Sequence, residues 1–126
     1  MNKFIAVALL AIASAPAWAT DYITEVANII NDNCVVCHRQ GGIGPMSFET
    51  YEQVRPWAPL ISLKVMKREM PPYAYDHGIG IQDLQGDWRL SQKDIDTVVE
   101  WVDQGAQHGD GEIVFQYPPL RDHEAW

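Results

Sequence analysis

Cys34-Val35-Val36-Cys37-His38 is the stretch on which the reading of this chain turns, because its C-x-x-C-H spacing is that of a covalent haem attachment site. Two intervening residues let both sulfurs reach the two vinyl groups of one porphyrin, and the residue after the second cysteine is then carried beneath the iron. Histidine there supplies an imidazole nitrogen as the proximal ligand. Two other chemistries use paired cysteines. A thioredoxin-like redox pair needs a βαβ surround, which the flanking sequence lacks, and a zinc half-site needs a second ligand pair. His77, His108 and His123 are scattered without a C-x-x-C or H-x-x-H companion, so the spacing favours one covalent haem c per chain.

Upstream of the motif, Lys3 gives a positive start, Phe4 to Ala13 is an unbroken apolar run, and Ala17-Trp18-Ala19 fits a small-x-small cleavage site. Residues 1–19 are therefore expected to be a cleavable secretory signal, directing the chain to the periplasm. The apolar run is too short for a membrane span, which needs roughly 20 residues. What remains of the 126 residues suits one small domain over 20–108, followed by a tail over 109–126. An exported chain of this size would ordinarily join its two cysteines in a disulfide, but their spacing directs them to haem instead. Loss of Lys3 leaves eight basic residues against 17 acidic ones, a net −9, which argues for no nucleic-acid partner.

The rest of the chain reads as an all-α fold. Ile23, Val26, Ala27 and Ile30 recur at helical spacing and predict a helix from Asp21 to about Asn31 that delivers Cys34. Gly41-Gly42-Ile43-Gly44-Pro45 is a loop whose glycines let backbone approach a flat cofactor closely. Ser47 or Thr50, the latter with Gln53 as a capping-box partner, opens a short helix ending near Arg55 at Pro56. A further helix carries Pro59 in its first turn and runs through Leu60, Ile61, Leu63 and Met66 to about Glu69, where Pro71-Pro72 forbids more. From Pro71 to Leu90 no periodicity is sustained. Such a stretch reads as a functional strap on the distal side of the haem, with Tyr73, Tyr75 and Trp88 as haem-packing candidates, the alternative being a solvent loop. Ser91 with Asp94 opens the clearest helix, whose Ile95, Val98, Val99 and Val102 form a core face and whose end is marked by Gly105. The tail carries no evident chemistry and docks loosely or stays free, leaving His108 and His123 facing solvent.

An electron carrier keeps its iron six-coordinate in both redox states, and a thioether ligand raises the potential. Met70 is the first candidate for the sixth ligand, since the prolines that follow hold the chain stiff and aim the sulfur. Met66, one turn earlier, reads as a core-filling methionine. His77 would give bis-histidine iron of lower potential. Met46 reads as packing near the proximal loop. On the proximal side the His38 ring needs an acceptor for its second nitrogen, and the Pro45 carbonyl is the candidate.

These residues together resemble the class I, mitochondrial-like cytochrome c family: an N-terminal helix, the motif at 34–38, Gly44-Pro45, a later methionine and a C-terminal helix. The resemblance implies an electron carrier wrapped around one haem, with the Pro45 carbonyl accepting from His38, Met70 as distal ligand, and contact between the first and last helices. A closer likeness is to the cytochrome-like modules of bacterial proteins that also carry copper-monooxygenase-like domains. It rests on Gly41-Gly42-Ile43-Gly44-Pro45-Met46-Ser47, Tyr51, Arg55-Pro56-Trp57, Arg68-Glu69-Met70-Pro71-Pro72 and Trp101-Val102-Asp103-x-Gly105-Ala106. The chain stops soon afterwards, so monooxygenase activity is not carried over. The expected function is periplasmic electron transfer between redox partner proteins, with no bond-making residues required. Lys64, Lys67 and Arg68 form a basic cluster that either meets an acidic partner or a haem propionate or is simply a solvated helix face. The alternatives are a haem enzyme or accessory with an open sixth site, needing a distal acid-base group such as His77, and a haem-based ligand sensor.

Overall fold

The computed structural model describes residues 19–73 and 89–117. Among them the chain is helical and has no strand, so the fold is all-α. The N-terminal helix begins as a π-helical turn, Tyr22–Val26, continuous with α1, Ala27–Asn33. Asp21 caps it, its carboxylate accepting the Thr24 N–H. α2, Tyr51–Val54, starts from the full capping box expected of Thr50 and Gln53. Ser47 plays no part in that cap and instead donates to Glu49. Pro56 does not separate the next two helices: a single 3₁₀ turn, Arg55–Trp57, leads from α2 into α3, Ala58–Met66. Proline at a first turn forfeits no hydrogen bond, which is why the chain passes through Pro56 and Pro59 without a break. α4, Gln92–Asp103, is capped by Ser91, which accepts the Asp94 N–H.

α3 ends two to three residues before Glu69. Arg68 takes a left-handed φ of +54°, its N–H reaching the Val65 carbonyl and the Glu69 N–H reaching that of Lys64. This pair of bonds is a Schellman ending, built here without glycine. α4 ends in the same way with Gly105 at the left-handed position: Gly105 N–H bonds to Val102 and Ala106 N–H to Trp101.

α4 packs against α3 and against the N-terminal turn, so the first and last helices meet as expected. Their shared core holds Tyr22, Val26, Ile30, Ile95, Val98 and Trp101. The inward face of α4 is Ile95, Val98 and Trp101, while Val99 and Val102 are only partly buried. Trp101 is fully enclosed and its indole N–H donates to the Gln107 carbonyl at 2.8 Å. The segment after α4 folds back over the N-terminal helix. Gln107 and His108 carbonyls accept the Tyr22 and Ile23 N–H groups, satisfying donors that a helix start leaves open. His108 is therefore no solvent-facing residue: it is half-buried, its ring edge-on to Tyr51 at 4.6 Å. The tail docks as well, with Ile113, Phe115 and Tyr117 against the core and Val114 84 % exposed. No helix among the described residues is long and apolar enough to cross a membrane.

Two stability outcomes follow from this core. Trp101→Ala, which empties a fully buried site and removes one of the two donors to the Gln107 carbonyl, should cost about 3–5 kcal/mol in denaturant titration. Burial, with smaller contributions from Tyr117, Cys34 and Glu52, pushes the Tyr22 phenol up to about 12 from 10.0. The unfolded chain ionises first, so the stability that the neutral phenol confers is intact below pH 10 and is lost as pH rises through 12. Tyr22→Phe should flatten that alkaline decline in a pH series of melting curves.

Candidate functional site

The residues after α1 make one more helical turn. Cys37 and His38 N–H groups both bond to the Cys34 carbonyl, at 3.1 and 2.8 Å, so positions 34, 37 and 38 share one face. That face lines an open cleft of about 480 Å³. Between them Val35 points into the core, 1 % exposed, and Val36 stands at the cleft's rim, 67 % exposed. The cleft is completed by the loop through Ile43 to Phe48, by Trp57, by α3 residues such as Leu60 and Ile61, and by Met70 with Pro71 and Pro72. Its lining is almost wholly apolar.

The loop is laid against the motif by backbone bonds: Gly44 N–H to the Cys37 carbonyl and Phe48 N–H to the His38 carbonyl, each 2.8 Å. Glu49 clamps its far side, accepting from Ser47 Oγ and the Gln40 N–H. These two donors, Ser47 first, hold the Glu49 carboxyl below its ordinary range. The register set by these bonds brings the carbonyl of Met46, not that of Pro45, to the His38 ring, with Nδ1 at 3.1 Å. The expected Pro45 acceptor is thus corrected by one residue; Pro45 itself lines the cleft. A carbonyl only accepts, so Nδ1 carries the proton and Nε2 keeps its lone pair for a metal. Phe48 stacks on the imidazole, 4.6 Å between ring centres and 22° between planes, a contact that the sequence reading missed.

Cys34 and Cys37 are free thiols. Burial first, then the neighbouring Cys37, pushes the Cys34 thiol up to about 12. That is opposite in direction to the depressed thiol of a redox-active C-x-x-C pair. Among the described residues no three His, Cys, Asp or Glu side chains gather as a metal-binding group.

Of the sixth-ligand candidates, Met70 borders the cleft. Its N–H and that of Glu69 both point to the Lys64 carbonyl, at 3.4 and 3.0 Å. Met66 is not the core-filling residue expected: it is 51 % exposed and outside the cleft lining, because α3 buries the face of Ala58, Ile61, Ser62 and Val65 instead. Met46 lines the cleft from the loop. Tyr73 lies under the Arg89 guanidinium, 4.7 Å from the ring centre, and does not line the cleft. His77, Tyr75, Trp88 and His123, most of the strap and nearly all of the signal segment lie outside the described residues.

The site is thus an apolar cleft in the size range of small-molecule sites, about 300–1,000 Å³, with two thiols and an oriented imidazole on one helical turn. No known protein family, curated protein or solved structure matches the chain.

Gly44 is the point at which the loop crowds the imidazole. A Cβ there would stand 2.6 Å from His38 Nδ1 and 2.9 Å from the Cys37 carbonyl oxygen. Gly44→Ala should therefore displace the imidazole from the Met46 carbonyl and cost about 1–3 kcal/mol. Nitrogen NMR of the His38 ring and a melting curve read the two effects separately.

Proposed function

We propose that this protein is a mono-haem c-type cytochrome that carries electrons between redox partner proteins in the periplasm. One observation carries the reading: Cys34, Cys37 and His38 share a helical face on an apolar cleft that Met70 also borders. Cys34 and Cys37 would hold the porphyrin through thioether bonds, His38 Nε2 would take the proximal position, and Met70 the distal one. Bound there, the iron would supply one-electron chemistry.

The chain's own contributions are positional. The Met46 carbonyl holds the imidazole in one tautomer and raises its basicity as a ligand. Phe48 stacked on the ring restrains its rotation. The apolar lining would exclude water from the faces of the group it covers, which would favour the less charged form of a bound metal. A methionine bordering the cleft supports a closed sixth position, hence a carrier over a haem enzyme with an open site.

Protein matured in a host competent for haem attachment should stain for haem on a denaturing gel and keep its colour in acidified organic solvent. Its ferric form should be low-spin, with a methionine-to-iron charge-transfer band that Met70→Ala abolishes and Met66→Ala leaves in place. A colourless product, or pigment extracted by the solvent, would overturn the assignment. A high-spin ferric spectrum would point to the enzyme or sensor instead.

A further inference from the structure

Lys64 is, among the described residues, the one lysine, arginine, aspartate or glutamate in the cleft lining. An ionic group at the edge of so apolar a surface is costly unless paired, and Lys64 is paired: its ammonium bonds to the Glu69 carboxylate, both side chains remaining roughly half exposed. The other two members of the basic cluster are disposed differently. Arg68 donates to Gln92 Oε1 at 2.7 Å, tying the end of α3 to the start of α4, and neither Arg68 nor the exposed Lys67 lines the cleft. The ligand that the cleft fits carries two carboxylates on one edge of an otherwise apolar plane, and the lining offers a single cation to meet them.

Resting on the cytochrome reading above, we propose that Lys64 is the counter-charge for one haem propionate, with Glu69 holding the ammonium at the cleft edge in competition for it. An ammonium on an apolar rim favours the ionised carboxylate, and a lysine can lay its apolar stem on such a surface while its head stays in water. Glu69 sets the strength of the effect, since its own negative charge draws the same ammonium away. The adjoining residues fix where the pair sits: the Lys64 carbonyl takes the Glu69 and Met70 N–H groups, so counter-charge and distal methionine are carried by one turn of backbone.

The test uses the holoprotein matured with haem labelled at its propionate carboxyl carbons, titrated by carbon NMR. In Lys64→Gln one propionate midpoint should move up by about one pH unit, a tenfold gain in proton affinity. Lys64→Arg should hold it near its original value, and Lys67→Gln should leave it unmoved. Glu69→Gln should move it down, a second variant with the opposite sign that does not depend on removing the lysine. Midpoints that stay put in both Lys64→Gln and Glu69→Gln would overturn the role of Lys64 while leaving the pigment intact. Failure of the cytochrome reading would appear earlier, as unmodified protein without covalent haem.

Discussion

The hydrogen bond from His38 Nδ1 to the Met46 carbonyl is the contact through which the rest of the site acquires its orientation. It forms only because the loop returns along the motif in one register, set by Gly44 and Phe48 bonding back to Cys37 and His38. That register demands a residue with no side chain at 44, where any Cβ would enter the imidazole. It also delivers Phe48 onto the ring face. A ring nitrogen committed to a carbonyl leaves the other free with a defined direction, and a ligand bond to a metal needs both the lone pair and the direction.

Local signals were legible and register was not. The caps at Thr50 and Ser91 depend on residues within a few positions of one another, and both form where the sequence indicates. The end of α4 was readable for the same reason, since glycine at 105 announces a left-handed position. Arg68 takes that conformation at the end of α3 with no such announcement, and the helix was read two to three residues too long. Whether Pro45 or Met46 faces His38 depends on how a loop of several residues lies against a turn, and no local rule distinguishes neighbouring carbonyls. The burial of Trp101 in place of Val99 and Val102 depends on where the N-terminal helix crosses α4, again a tertiary fact. The shared face of Cys34, Cys37 and His38 arises from one further turn beyond the helix expected to end near Asn31, and once that turn forms the i, i+3, i+4 spacing aligns the three.

The return segment after α4 explains how so short a chain holds its first helix. Gln107 and His108 supply carbonyls to the open N–H groups of Tyr22 and Ile23, and the Tyr51 hydroxyl donates to the Ala106 carbonyl. Aromatic contacts run through the same region, Tyr22 to Tyr51 at 5.2 Å and Tyr22 to Trp101 at 5.9 Å. Gly109 passes so close to Asp21 that a Cβ there would stand 2.3 Å from its carboxylate. The N-terminal helix cap and the C-terminal turn are thus one structure, and the motif at 34–38 extends directly from the helix that they secure.

The apolar groups left in water show what that scaffold is for. Val36 and Ile43, the latter 90 % exposed, stand on the cleft together with Trp57, Leu60 and Met70. Scattered singly, exposed apolar residues require no explanation; gathered on one concave surface, they mark a site for an apolar ligand. Each square ångström they expose forfeits about 25 cal/mol of burial energy, and a ligand that covers them returns it only to the folded state. Under the cytochrome reading this ties folding to the cofactor. Under the same reading covalent attachment would matter beyond electron transfer, since a group bound through two sulfurs would remain on the chain during local opening and cover the cleft again when it closes.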